Sequence, residues 1–428
     1  MPAMTTAVFT VFLALLALSV PVAVAIGLAS MSGIAFFSNM PMLVAAQQLF
    51  VTIDKFPLVA IPFFILSGNL MEAGGISERL VNFARALVGG VQGGLAMSCV
   101  LTCMIFAAVS GSSVATTFAI GAILIPAMVK LGYPVQRAAA LQASSAELGV
   151  IIPPSIPMIL YGVAAEVSIG ELFIAGFGPG LLIGGALILF IFVWCKLTGH
   201  GKRDGEGRLA LGVALRQASL ALLMPVIVLG GIYGGIFTPT EASVVAVFYA
   251  LLVGMFVYRR ITLPILWRAL QKTVVSTTVI MLIIATAGLF AFLITRAGVP
   301  AAFGTWVAAH LDGPVIFLIG VNVFLFLVGM FIETGAAIVV LAPILAPVAV
   351  QFGIDPVHFG IIMVVNLALG MITPPFGVNL FAACTVARIS YDQIIPPILP
   401  YVGVVVVCLG FISFVPEISL WLRDLVYK

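Results

Sequence analysis

Two stretches decide the fold of this chain: LGVIIPPS at 148–155 and its near-double LGMITPPF at 369–376. In each, consecutive prolines interrupt a run that is otherwise ready to be helical. A proline has no N–H to donate and disfavours α conformation in the residue before it. Carbonyls around Gly149–Ile152 and Gly370–Thr373 therefore lose their helical partners. The spacing is constant: Gly149 and Gly370, Pro153-Pro154 and Pro374-Pro375, Pro126 and Pro347, Gly132 and Gly353, and Pro179 and Pro400 all stand 221 positions apart (347 − 126 = 221). A fixed offset without a gap, over roughly seventy residues, marks an internal duplication.

Outward from these breaks the chain is apolar almost throughout. Of 428 residues, 63% are hydrophobic and 8% charged, and the mean hydropathy is +1.30. Ordinary soluble domains carry about 25% charged residues. The apolar runs approach the ~20 residues that cross ~30 Å of hydrocarbon as a helix, and they lack the shorter alternating pattern of barrel strands. The chain is thus an all-α polytopic membrane protein. A net charge of +3 and the lack of a basic block interleaved with aromatics give no sign of nucleic-acid binding.

The pattern predicts spans at about 8–29, 32–50, 56–74, 93–109, 114–130, 138–167, 172–197, 216–236, 241–258, 274–295, 313–331, 335–351, 357–386 and 392–415. The first lacks a basic leader and exceeds a signal-peptide core, so it reads as a span that stays. Stretches 76–88 and 299–310 read as amphipathic, too short and polar to cross, and suited to the interface. The hydrophilic linker at 196–208 carries Lys196, Lys202, Arg203 and Arg208 against Asp204 and Glu206. Basic short loops favour the cytoplasm. Parity places Arg259-Arg260, Arg268 and Lys272 on that same side, and both termini outside. Cys99, Cys103, Cys195, Cys384 and Cys408 lie in apolar runs without metal-ligand spacing, as packing residues do.

A second element recurs beside each break. The polar turns VSGSS at 109–113 and IETG at 332–335 sit between short apolar runs, as in re-entrant hairpins whose tips lie at membrane depth. Freed carbonyls there must be satisfied by protein, water or an ion, and oxygen ligands suit a hard cation. Break carbonyls with Ser110, Ser112 or Thr373 hydroxyls would assemble a Na⁺ site in each half, and half-helix N-termini would favour an anionic group. The competing reading is a kink healed by hydroxyls and waters.

Transporter repeats of this kind are commonly inverted about an axis in the membrane plane. The expected organisation is a first repeat half at 1–210 and a second at 211–428. The first holds scaffold helices 1–92, a hairpin and broken helix at 93–167, and a helix at 172–197. The second holds scaffold helices 216–295, a hairpin and broken helix at 313–386, and a helix at 392–415. The two hairpin and broken-helix units would form a mobile block against a static scaffold.

The segments SGSSVATTFAIGAILIPAM (110–128), LGVIIPPS (148–155), GGIYGGIFTPTEAS (230–243) and NLALGMITPPFGVNLF (366–381) resemble the large membrane subunit of tripartite ATP-independent periplasmic (TRAP) transporters, in order and nearly end to end. The resemblance implies an elevator-type carrier in the bacterial inner membrane, driven by a Na⁺ gradient. It also implies a small four-helix membrane subunit and a soluble periplasmic binding protein that delivers a carboxylate, such as a C4-dicarboxylate or a sialic acid. Carried over by motif, Ser110, Ser112, Gly149, Ile152 and Pro154 match a first Na⁺ site; Gly329, Thr334, Gly370 and Thr373 match a second. Ser113, Glu333, Pro375 and Asn379 are candidates for substrate contact or coupling. Glu333 stands where the first half has Ser112, and Thr373 where it has Ile152.

Other polar residues carry competing readings. Glu147, Glu241 and Glu333 fall in or beside apolar segments, where ionisable groups are functional by default. Glu241 also suits a helix first turn capped by Thr240, and Glu147 suits either a counter-ion or a residue facing a wet cavity. Arg296 and Arg388 sit near segment ends, where snorkelling to the interface is favoured over substrate binding. His200, His310 and His358 read as scattered loop residues without ligand spacing. A channel would need a continuous pore, and an intramembrane enzyme a nucleophile–base set that does not accompany Ser110, Ser112 or Ser113. No cofactor beyond Na⁺ is expected, and no phosphate-binding GxxxxGK[ST] loop occurs. A stand-alone carrier or channel without a binding protein is the alternative.

Overall fold

The computed structural model describes residues 2–201, 209–310 and 313–427, which form helices and no strand. Lys202, Arg203, Asp204, Glu206 and Arg208 of the linker lie outside the described residues. The first part runs α1 (Pro2–Ala17), α2 (Val22–Phe37), α3 (Leu43–Ile53), a 3-10 turn (Phe56–Val59), α4 (Ala60–Ala73), α5 (Ile76–Val88), α6 (Gly94–Ser110) and α7 (Ser113–Lys130). It continues through α8 (Val135–Ala146), α9 (Leu148–Ile151), α10 (Ile156–Ala165), α11 (Ile169–Ala175) and α12 (Phe177–Thr198). The second part holds α13 (Leu211–Tyr233), α14 (Pro239–Leu252) with a π turn (Val253–Val257), α15 (Leu263–Arg296), α16 (Val299–His310) and α17 (Pro314–Gly329). It closes with α18 (Thr334–Gln351), α19 (Pro356–Gly370), α20 (Val378–Ala387), α21 (Tyr391–Phe414) and α22 (Glu417–Tyr427).

Among the described residues, eight helices are long and apolar enough to cross a membrane, or nine if the pair bent by 42° at 152–155 counts as one span. Leu18, Phe36, Leu43, Phe50, Leu197 and Leu263 are among many large apolar side chains left exposed. In water such a surface would aggregate; in hydrocarbon it is the solvated face.

The duplication seen in the sequence is carried into the backbone. Shifted by 221, the bounds of α7 fall on those of α18 (334 − 113 = 221), and α8 starts where α19 starts. Gly132 and Gly353, with φ of 84° and 75°, close the equivalent turns after α7 and α18. Both Pro-Pro bonds, Pro153-Pro154 and Pro374-Pro375, are cis.

The scaffold departs from the expected map in three places. The run 8–29 is not one span, nor is 32–50. The chain turns at 18–21, where Ser19 has a φ of 60° ahead of Pro21, and α1 packs back on α2. Gly33 permits that approach, because a Cβ there would lie 2.4 Å from Val8 Cγ2. The span expected at 274–295 is instead the 34-residue α15, which carries Arg268 and Lys272 within it. Its counterpart in the first part is split: α3 and α4 shifted by 221 (43 + 221 = 264; 73 + 221 = 294) both fall inside α15. The split lies at Asp54-Lys55-Phe56-Pro57, whereas the matching Val275-Ser276-Thr277-Thr278 has no proline and stays helical.

α5 matches its expected bounds and buries Ile76, Leu80, Val81 and Ala84 on one face. Arg79 lies 3.6 Å over the Tyr258 ring, and Glu78 meets Arg260 at 3.8 Å. α16 also has the expected bounds, but VPAAFGTWVAAH contains no acidic, lysine or arginine residue, so it is an apolar segment rather than a polar one. Thr238, not Thr240, caps α14: Thr238 N donates to Glu241 Oε2 at 2.8 Å, and Glu241 N donates to Thr238 Oγ1 at 3.3 Å. His358 is no loop residue. It is buried in the first turn of α19, with Nε2 3.4 Å from Ser413 O, while His310 is the last residue of α16.

Candidate functional site

The first tip and the first break are built against each other. Ser112 is the N-cap of α7, accepting from Ala115 N at 3.4 Å. Gly111, with a φ of 62°, turns the chain back, and a Cβ there would lie 2.9 Å from Pro154 O. The tip thus presses directly on the cis Pro-Pro corner, and Ile156 N donates to Gly111 O at 3.5 Å. Gly149 makes the other close approach, since a Cβ on it would lie 2.9 Å from Ser112 O and 2.8 Å from Thr116 Oγ1. The hydroxyls form a chain: Thr116 Oγ1 donates to Ser112 O at 2.8 Å and stands 3.0 Å from Ser110 Oγ. Ser110, Ser112, Gly149 and Pro154 therefore converge as expected. Ile152 leaves the helix in extended conformation at this corner, its side chain packed over Gly180. Thr116 was missed by sequence reasoning. Its signal was a second hydroxyl one turn past the capping Ser112.

The second tip and break share the plan with different chemistry. Glu333 takes the place of Ser112 as N-cap of α18, accepting from Ala336 N at 3.1 Å. Gly329 and Gly370 touch backbone to backbone, for a Cβ on Gly370 would lie 2.3 Å from Gly329 C. Thr373 Oγ1 donates to Leu369 O at 2.7 Å, which leaves its lone pairs free to accept. Thr334 Oγ1 and both amide atoms of Asn379 are buried with no partner, and the Asn379 backbone N–H donates to Met371 O at 3.0 Å. Ser113 makes one of the contacts between halves, with Oγ 3.8 Å from Met371 Sδ. Pro375 is exposed, in contrast to buried Pro154.

Behind each tip lies a polar brace. Cys99 Sγ and Gln142 Oε1 are 3.1 Å apart, and Gln142 Nε2 donates to Thr116 O at 3.3 Å. In the other half, Asn366 Nδ2 donates to Asn322 Oδ1 at 2.7 Å, and Asn322 Nδ2 to Ser413 Oγ at 3.1 Å. Glu147 is fully buried at the α8–α9 junction, and neither carboxyl oxygen has a hydrogen-bond partner.

Three cavities lie in file along one face of α15. The first, about 710 Å³, is lined by Ser110, Ser112, Glu333, Asn69 and Lys272, with α15 contributing Val275, Val279, Ile280 and Ile283. The second, about 100 Å³, sits between the two tips, touched by Gly111, Ser113, Glu333, Gly335, Met371, Ile280 and Ile284. The third, about 550 Å³, continues past Ile284 to Gly288, Phe292 and Arg296, facing Lys55, Leu160 and Glu166. Residues three and four apart on a helix share a face, so this single helix supplies a wall from one end of the file to the other. Gly288 lets α3 close on it, since a Cβ there would lie 2.1 Å from Thr52 Cγ2. Lys272 is paired with Glu72 at 3.1 Å. Arg296, where the sequence favours snorkelling over substrate binding, lines the third cavity.

Comparison with known proteins agrees with this architecture. A family profile described as "Tripartite ATP-independent periplasmic transporter, DctM component" matches residues 9–418. The chain is 43% identical to the C4-dicarboxylate TRAP transporter large permease protein DctM of Pseudomonas aeruginosa, over 93% of each chain. It is 42% identical to the isethionate TRAP transporter permease protein DctMQ of Oleidesulfovibrio alaskensis, over 96% of this chain and 65% of that longer protein. Among solved structures, the Alcanivorax borkumensis YdaH transporter superposes with a TM-score of 0.62 at 16% identity, covering 88% of both chains, which is a likeness of fold. A helical membrane chain with two hairpin tips meeting across a cavity, matched over nearly its whole length, belongs to the DctM large-permease family of TRAP transporters.

Proposed function

We propose that this chain carries out Na⁺-coupled uptake of a small organic carboxylate across the bacterial inner membrane, receiving it from a periplasmic binding protein and working with a small membrane subunit. The observation that carries the reading is the pair of tips, each packed on its own cis Pro-Pro break, meeting over the small central cavity. In the first half, oxygen atoms of the tip and the break stand together; in the second, Gly329 touches Gly370 and Thr334 Oγ1 is buried without a partner. Na⁺ on Ser110, Ser112, Gly149, Ile152 and Pro154, and on Gly329, Thr334, Gly370 and Thr373, would bring positive charge to both sides of that cavity. An anion binding second would meet those charges and the N-termini of α7 and α18.

In the elevator form of this reading, residues 93–167 and 313–386 move as a block related by inverted repeats, and the other helices stay as a scaffold. α15 belongs to the scaffold and lines the path on both sides of the central cavity. Arg259, Arg260 and the Lys196 linker favour a cytoplasmic location for the Lys272 end, which makes the Lys55–Arg296 end periplasmic.

The test is uptake in proteoliposomes containing the chain and its small subunit. Labelled C4-dicarboxylates, sialic acid and isethionate would be supplied on cognate binding proteins, with and without an inward Na⁺ gradient. Uptake that needs both Na⁺ and the binding protein is expected. Uptake indifferent to both would replace this reading with a stand-alone carrier or channel.

A further inference from the structure

The third cavity is not part of either tip. Its α15 wall carries Arg296, and the α3–α4 split places Lys55 on the same cavity, with Thr52 and Thr295 as hydroxyl neighbours. Lys55 Nζ reaches only a carbonyl, Val163 O at 3.4 Å. Neither Lys55 nor Arg296 makes an ion pair among the described residues, whereas Lys272 at the other end is held by Glu72. Glu166, on the opposite wall, shares the cavity without bonding either cation. Two exposed cations without an ion-pair partner, facing one carboxylate across an open cavity, give it a net positive potential, and a guanidinium is shaped to bind a carboxylate through two parallel hydrogen bonds. The split that frees Lys55 has no counterpart in the second part of the chain, so the feature is not a product of the duplication.

We propose that Lys55 and Arg296 form a separate docking site for an organic anion, at the end of the file remote from Lys272. This site rests on the reading of the chain as a carrier of organic anions. The cavity walls come from both the proposed block (Leu160, Val163, Glu166) and the proposed scaffold (Lys55, Gly288, Arg296). Ile280 and Ile284, level with the tips, lie sixteen and twelve residues from Arg296, which is about 24 and 18 Å of helix. A substrate held by the tips is therefore far from these cations while the tips face Ile280. It comes beside them only when the block has travelled towards Arg296. Lys55 and Arg296 thus capture the anion at the uptake end, and the Na⁺-loaded tips take it over.

The experiment uses the full chain with its small subunit in proteoliposomes and a Thr295→Cys variant. The native cysteines are all buried, so labelling reports the introduced thiol. An anionic ethylsulfonate thiosulfonate reagent is expected to react about tenfold faster than its cationic trimethylammonium analogue, relative to a free thiol. Lys55→Gln with Arg296→Gln should abolish that preference, Arg296→Lys should keep most of it, and Glu166→Gln should increase it. Succinate, sialic acid or isethionate should slow the labelling. Equal rates for the two reagents, or protection by none of the three anions, would overturn the site. These readouts need no transport, so they stand apart from Na⁺- and binding-protein-dependent uptake, on which the functional reading itself depends. In uptake assays the double variant should raise KM about tenfold with half-saturating Na⁺ unchanged; an unchanged KM would also overturn the site.

Discussion

The two Pro-Pro breaks share a backbone path and differ in what covers them. The first is sealed: Pro153, Pro154 and Ser155 are all buried, and Ser155 caps α10 by accepting from Met158 N at 3.3 Å. At the second, Pro375 and Phe376 are exposed, and Gly377 at a φ of 54° opens α20 without a side-chain cap. Phe376 is 52% exposed and leans on Phe331 of the second tip, itself 61% exposed. The hydroxyls differ in the same sense. The Ser110 and Thr116 hydroxyls pair with each other and with the Ser112 carbonyl, while Thr334 Oγ1 and the Asn379 amide are buried without partners. An unpaired buried polar group costs about 1–3 kcal/mol. Duplication has kept the two cis Pro-Pro corners and let the closure diverge: the first half pairs its hydroxyls internally, and the second leaves Thr334 Oγ1 and the Asn379 amide unpaired.

The glycine contacts give the largest expected effect. Gly370→Ala drives a Cβ into the Gly329 backbone and should destabilise the protein by about 3 kcal/mol, read as thermal stability in detergent. Gly149→Ala, whose contacts are looser, should cost about half as much. If the order is reversed, the second half is not the tighter backbone contact. Next comes Ser110→Ala with Ser112→Ala, which should raise half-saturating Na⁺ in uptake about tenfold, equivalent to ~1.4 kcal/mol. Thr116→Val alone should act in the same direction, and unchanged Na⁺ dependence in both would remove the first site. Asn379→Leu tests the second half. Replacing an orphaned amide by an apolar group should raise resting stability by about 1 kcal/mol while raising the KM for the carboxylate in uptake. A loss of resting stability would mean the amide already has a partner. The smallest effect belongs to Thr373→Ser, which keeps the bond to Leu369 O and should leave Na⁺ affinity within about threefold, or ~0.7 kcal/mol.

Much of the fold and part of the site could be read from residue order alone. Gly and Pro enforce backbone conformations locally, so the offset of 221 predicted the matching hairpins and breaks. The reversal between α1 and α2 was illegible because a hydropathy window over 8–29 is apolar on both sides of Ser19-Val20-Pro21. The same blindness merged the start of α15 with its loop, since Arg268 and Lys272 look like loop residues in the sequence. Lys272 is held by Glu72, two hundred residues away in the chain. Side-chain pairing was the other gap. Motif matching finds Ser110 and Ser112, but only the fold brings Thr116 to Gly149, leaves Pro375 exposed, and sets Thr238 rather than Thr240 at the cap of α14.

α15 has one consequence for measurement. A helix unbroken from Leu263 to Arg296 is a graduated scale, with a mark about every 1.5 Å along its axis. Single cysteines at successive marks, each paired with one placed on a hairpin tip, would convert cross-linking yield into position. Two maxima along the scale would give the stroke of the carrier in ångströms, and a single maximum would give a stroke of zero.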